Sequence, residues 1–174
     1  QRQGIVAALR QARSADGSGI ITFTNPDQQL TAAIRSTEVR VAGRPGAAVT
    51  FREPRIGRGA NVVVLTPGVP TGTGTAQVAL ARRAGTAAVT EYWTNDVHRL
   101  EQRFVVHARP DGVGPVEVRQ TLETSLTAAI DKTGQALILA DNSGERLRFG
   151  QPAAWDADGR PLPMRLTLDG HTLG

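Results

Sequence analysis

From Ile21 onward, apolar side chains recur at every second position in short runs. Ile21 and Phe23 alternate with Thr22 and Thr24, Ala32 is followed by Ile34, and Val39 and Val41 alternate with Glu38 and Arg40. Period two over so few residues predicts half-buried strands with one wet face. The start of the chain has another period: Ile5, Ala8, Leu9 and Ala12 stand three and four apart, which predicts one short helix ended by Asp16-Gly17-Ser18-Gly19.

Residues 86–174 carry the alternation furthest. Val78 and Leu80 begin a strand just ahead of them; Ala87, Val89 and Trp93 share one face, and Leu100, Gln102, Phe104 and Val106 share the next. Val116, Val118 and Leu122 follow, then Leu137 with Leu139, Leu147 with Phe149, and Met164, Leu166 and Leu168. Between them lie Asp111-Gly112, Asp131 to Gly134, Asp141 to Gly144, Asp156 to Gly159 and Asp169-Gly170. Turn signals spaced by roughly 10 to 15 residues are what antiparallel hairpins require. The expected fold is all-β, an antiparallel β-sandwich with a short N-terminal helix. The expected organisation is a single domain over 1–174, with a looser part at 1–75 and a strand-rich part at 76–174.

Two stretches interrupt the pattern. Residues 42–60 are rich in Gly, Pro and Arg, and Thr66 to Thr75 read as a loop or linker. Between them Val62-Val63-Val64-Leu65 predicts a short strand buried on both faces. Neighbouring strand residues point to opposite sides, so one of Tyr92 and Trp93 is expected to face outward, with Trp93 and Phe104 as core anchors.

Composition narrows the classes. The 174 residues suffice for a sizeable core without a covalent staple, and the absence of Cys excludes disulfides and thiolate metal sites. The net charge of +4 comes from 19 Arg and the single Lys132 against 16 acids. An Arg-for-Lys bias of this kind follows from GC-rich coding, so nucleic acid is not an expected partner. The apolar runs are too short to span a membrane. The chain opens on Gln1 and stops at Gly174 on a strand-like note, which suggests a mature or excised piece of a longer protein.

Few residues point to chemistry. Asp156-x-Asp158-Gly159 looks like half of a Ca²⁺ loop, with Asp141 and Asn142 as further oxygen donors, but it lacks the later ligands; Asp-Gly hairpin turns account for it more simply. His98, His107 and His171 are too dispersed for a zinc motif. No Ser sits in a Gly-x-Ser-x-Gly elbow. Glu91, Glu101, Glu117 and Glu123 have the chemistry of an acid pair, yet acids on strands more often pair with Arg. Thr71-Gly72-Thr73-Gly74-Thr75 lacks the ending of a phosphate loop. No catalytic residue, cofactor or metal ligand is therefore assigned. The candidate binding residues are Arg52, Arg55 and Arg58, splayed on one loop by Pro54 and Gly57, together with Tyr92 and Trp155 as exposed aromatic rings; planar guanidiniums suit phosphate or carboxylate.

One family resemblance accompanies these observations. Tyr92-Trp93-Thr94-Asn95, Leu100-Glu101, Phe104-Val105-Val106 and Pro110-Asp111 resemble a segment of an N-terminal β-sandwich domain of large bacterial secreted and cell-surface proteins, often found ahead of SBBP-type propeller repeats. The likeness continues through Gly134 to Leu139, Gly144 to Phe149, Gln151-Pro152 with Trp155, Gly159-Arg160 and Met164 to Leu168, so it covers about residues 86–174. Gln102-Arg103 departs from the family's Tyr-Asp pair. The resemblance implies a bacterial envelope or extracellular location and no catalytic residues.

The expected function is a non-enzymatic structural or protein-interaction module of a bacterial envelope or secreted protein, with a protein partner or larger assembly. An adhesive module binding a surface glycan or polyanion is the alternative, and a hydrolase with a loop-built site a third.

Overall fold

The computed structural model describes residues 14–15, 19–74 and 76–174. These form eighteen strands in four antiparallel sheets, with no helix among the described residues. The helix expected over Ile5, Ala8, Leu9 and Ala12 lies outside them. No helix among the described residues is long and apolar enough to cross a membrane.

The first sheet opens as a meander in which β1 (Ser14–Ala15), β2 (Ile21–Asn25), β3 (Leu30–Ile34), β4 (Glu38–Ala42) and β5 (Ala48–Arg58) lie side by side. β6 (Val63–Val64) folds back on the far half of β5. A second sheet follows, with β7 (Pro70–Gly72), β8 (Gln77–Ala84), β9 (Ala87–Asn95) and β10 (Leu100–Val106) adjacent in chain order. β11 (Val116–Glu123) then returns to the first sheet along the other edge of β5. The third sheet is β12 (Thr127–Ile130), β13 (Ala136–Asp141) and β14 (Gly144–Gly150), and the fourth is the hairpin of β15 (Ala154–Trp155) with β16 (Pro161–Leu162). β17 (Leu168–Asp169) and β18 (Thr172–Leu173) extend the first sheet beyond β11.

Strand β5 corrects the sequence expectation most. Residues 42–60 were expected to hold an Arg-bearing loop, yet Ala48–Arg58 is the longest strand, eleven residues. Arg52 stands opposite Thr121 and Arg55 opposite Arg119, so two residues of β5, Glu53 and Pro54, face the single Gln120. Glu53 takes the left-handed φ of 46° that such a bulge needs. The extra residue reverses the parity of the strand: Val49 and Phe51 point inward before it, Pro54 and Ile56 after it. A shift of parity destroys period two in the sequence, which is why a strand looked like a loop.

The bulge also divides the core. Before it, Phe51 joins a cluster with Ile34, Val39, Val41 and Val49 of the first sheet, Val78, Leu80 and Trp93 of the second, and Leu137, Leu139 and Leu147 of the third. After it, Ile56 packs with Leu65, Ala87 and Val89 in a smaller cluster, against which Phe104, Val106 and Val118 rest. The segment expected to be looser, 1–75, thus supplies through its described residues a large share of the same core as the strand-rich part.

Three further expectations are corrected. Val63 and Val64 are exposed and only Leu65 of that run is buried, because β6 is an edge strand rather than a central one. Met164 and Leu166 lie outside any strand; pairing begins at Leu168. The 66–75 stretch contains β7, held to β8 by register pairs from Pro70–Leu80 to Gly72–Val78.

The turn from β5 to β6 depends on Gly57. A Cβ there would fall on the Asn61 carbonyl oxygen and against the Val62 backbone. Gly57→Ala is therefore expected to destabilise by about 1–3 kcal/mol, as overpacking against backbone does. A lowered urea midpoint with an unchanged slope checks it.

Candidate functional site

The structure engages each predicted binding arginine within the chain. Arg52 Nη2 lies 2.7 Å from Glu38 Oε2 and its Nε 3.1 Å from Glu123 Oε2, bridging the strands on either side of β5. Arg55 Nη2 meets Glu53 Oε2 at 2.9 Å. Arg58 donates from Nε to the Gly114 carbonyl at 2.7 Å and from Nη1 to that of Gly112 at 2.8 Å, pinning the 107–115 connection to β5. All three leave the same strand rather than a loop, and each holds an acid or a carbonyl of its own chain through at least one nitrogen.

Tyr92 and Trp93 do face opposite sides. Trp93 is buried, and Tyr92 is half-buried on the outer face of the second sheet under Arg103, whose guanidinium carbon lies 4.9 Å from the ring centre. That cation–π contact covers the ring face a sugar would stack on. Trp155 is different, with 62% of its surface exposed.

The most constrained polar cluster was not singled out as such from the sequence. On β9, Ala87, Val89, Glu91, Trp93 and Asn95 all point inward, so period two carries Glu91 into the core. Its carboxylate accepts from Arg82 Nε on Oε2 at 2.7 Å, and on Oε1 from Trp93 Nε1 at 2.7 Å and Gln102 Nε2 at 2.8 Å. Arg82 also donates from Nη1 to the Ser36 and Thr66 carbonyls, at 3.0 and 3.3 Å. A buried ion pair is tolerable only when its remaining valences are met in this way. At the C-terminal end of the same strand, Asn25 Nδ2 donates to Asn95 Oδ1 at 2.9 Å and Asn95 Nδ2 to the Thr24 carbonyl at 3.1 Å. Two polar clamps therefore join the first and second sheets, one at the middle of β9 and one at its C-terminal end. The signal was present: an acid and an amide fall in step with the apolar residues of one face.

The four acids weighed as catalytic partners all pair with arginine: Glu91 with Arg82, Glu101 with Arg99 at 2.8 Å, Glu117 with Arg119 at 2.5 Å and Glu123 with Arg52. His107 Nε2 lies 2.8 Å from the Thr90 hydroxyl on an exposed face.

Four of the five Asp-Gly turns close hairpins, whereas Asp111-Gly112, expected to do the same, lies in the crossing from β10 to β11, which belong to different sheets. Asp156 Oδ1 accepts the backbone N–H of Asp158 and of Arg160, both at 2.9 Å, and Arg160 Nη1 lies 3.3 Å from Asp158 Oδ2. Among the described residues no three His, Asp or Glu side chains converge as a metal site would need. Asp131 does the same work at the β12–β13 turn, its Oδ1 accepting from Gln135 N at 2.8 Å, from Ala136 N at 3.2 Å and from the Thr133 hydroxyl at 3.0 Å. The Gln135 N–H above all, then the Thr133 hydroxyl and the Ala136 N–H, hold the Asp131 carboxyl below the usual Asp range against an opposing desolvation. Because the folded state favours the carboxylate, the turn's contribution is present above the ordinary Asp range and is lost as pH falls through the lowered folded value. A carboxyl NMR titration should place the Asp131 midpoint below that of an unperturbed Asp; an ordinary midpoint would contradict the turn geometry.

Two further surface features among the described residues are an open groove of about 380 Å³ between Arg40, Arg44 to Ala48 and Glu123 to Ser125, and the fourth sheet. In the latter, β15 and β16 pair only with each other, Trp155 opposite Pro161 and Ala154 opposite Leu162. Trp155 and Leu162 thus lie on opposite faces of this hairpin and both are exposed, with Met164 exposed just beyond. The chain matches no protein-family model, no curated protein and no solved structure.

Proposed function

We propose that the chain is a β-sandwich module, non-enzymatic, that serves structure or protein interaction in a larger bacterial envelope or secreted protein. The observation that carries this reading is the β15–β16 hairpin, which is apolar and exposed on both faces. A two-stranded sheet is marginal by itself in water, and an exposed Trp is among the commonest anchors of a protein interface. The envelope setting rests on the resemblance of residues 86–174. A polyanion binder draws less support, since Arg52, Arg55 and Arg58 already hold acids and carbonyls of this chain.

The test is retention from an envelope extract at low and high salt, with protein and glycan readouts, on the wild-type chain and on Trp155→Ser. A defined protein that survives high salt and is lost with Trp155→Ser is the expected result, because apolar contacts are not screened. Trp155 is exposed, so the substitution should leave stability within about 0.5 kcal/mol. Capture of polysaccharide alone, released as salt rises, would favour the polyanion binder instead.

A further inference from the structure

The second sheet ends on a strand whose outer edge is bare among the described residues. β10 pairs with β9 from Leu100 to Val106 without a break in register, and no other described strand shares a backbone hydrogen bond with it. It contains neither Gly nor Pro. The other edges are blunted: β1, β6 and β17 are two residues long, β7 is three and starts on Pro70, β12 is four, and β14 carries a bulge against β13. Short, bulged or Pro-bearing edges discourage further pairing, whereas a long regular one is a template for it.

The direction of the free groups is fixed. His107 N donates to the Ala88 carbonyl at 2.9 Å, so odd-numbered residues of β10 bond to β9 and the N–H and C=O groups of Leu100, Gln102, Phe104 and Val106 turn to the open edge. The side chains of these four share the inward face with Trp93 and Glu91 opposite them, while Glu101 and Arg103 stand on the outer face opposite Thr94 and Tyr92.

We propose that β10 pairs antiparallel with β10 of a second copy of this chain, about a two-fold axis through Gln102. Only registers that set even residues opposite even residues satisfy the outward groups. Centring on Arg103 sets two guanidiniums opposite each other, and centring on Glu101 sets two carboxylates opposite, each at a non-hydrogen-bonded pair where side chains come closest. Centring on Gln102 sets Glu101 opposite Arg103 of the partner subunit, twice by symmetry, and joins two four-stranded sheets into one; Glu101 meets Arg99 of its own chain through Oε2 and Arg103 lies over Tyr92, so both charges are held on the outer face beside the edge. The sequence Glu101-Gln102-Arg103 is its own electrostatic complement when reversed. A C2 contact of this kind is self-complementary by construction. The surface lies on different elements from the β15–β16 hairpin and stands independently of the function proposed for that hairpin.

Sedimentation equilibrium of the purified 174-residue chain over a range of concentrations tests it. A reversible dimer is expected. Arg103→Glu alone and Glu101→Arg alone should each weaken it by roughly tenfold or more, since attraction becomes repulsion at two symmetric pairs. The double variant Glu101→Arg with Arg103→Glu restores the complement and should restore the dimer. The chain has no Cys of its own, so a register check is clean: Glu101→Cys mixed with Arg103→Cys should form a disulfide between chains, while neither does alone, because a residue's own copy lies on the diagonal. A chain that stays monomeric at every concentration, or a dimer indifferent to the charge swap, would overturn the proposal.

Discussion

Glu91→Ala is expected to cost about 3–5 kcal/mol, the largest effect of any single polar substitution in this chain, because it leaves the Arg82 guanidinium buried without its counter-charge. Only 1% of the Glu91 side chain is exposed and only 2% of that of Arg82, so water cannot replace the lost partner. Trp93 Nε1 and Gln102 Nε2 lose their acceptor in the same step. Glu91→Gln keeps the shape and one carbonyl acceptor, and it should fall between wild type and alanine. Replacing Arg82 and Glu91 together with well-packed apolar residues should cost much less than Glu91→Ala, since no unpaired charge remains. Urea unfolding of the four proteins measures all of this. A Glu91→Gln protein nearly as stable as wild type, beside a large loss for Glu91→Ala, would show that packing, not charge, dominates the site.

Phe51→Ala is expected to cost about 3–5 kcal/mol as a large-to-small change in a filled core. The ring is buried where three sheets meet: its centre lies 5.0 Å from that of Phe149 on β14, edge-on at 77°, and 5.9 Å from that of Trp93 on β9, tilted at 53°. Removing it therefore opens a void shared by three sheets, which no single strand can close by shifting. A double-mutant cycle with Phe149→Ala should show a coupling of about 0.5–1.5 kcal/mol, the worth of an edge-to-face pair beyond its area. Additive losses would mean that the two rings do not depend on one another.

Where alternation was unbroken, the sequence revealed the strands and their inward faces: Ile21 with Phe23, Val39 with Val41 and Ala87 to Trp93 stand as the period predicts, whereas on the edge strand β10 Phe104, expected as a core anchor, is only half-buried. It failed where local geometry reverses the parity, as at Glu53 and Pro54 in β5, because a one-residue bulge leaves no compositional mark distinct from a turn. Apolar composition likewise overstated burial at Val63, Val64 and Met164, for burial depends on what lies across the sheet and not on the residue alone. The arginines were recognised as a cluster, but their neighbours in space, Glu38 and Glu123 on flanking strands, are set by strand order. Glu91 was identified as an acid that would pair with arginine. That it would do so inside the core was readable only by counting in twos along β9.

The account rests on one core shared by three sheets, and native-state amide hydrogen exchange tests that most directly. Amides in the central strands β4, β9 and β13 should open with the same free energy and the same denaturant dependence, as parts of one cooperative unit. Exchange of β2 to β5 through a separate, lower-energy opening, while β8, β9 and β13 stay protected, would contradict it.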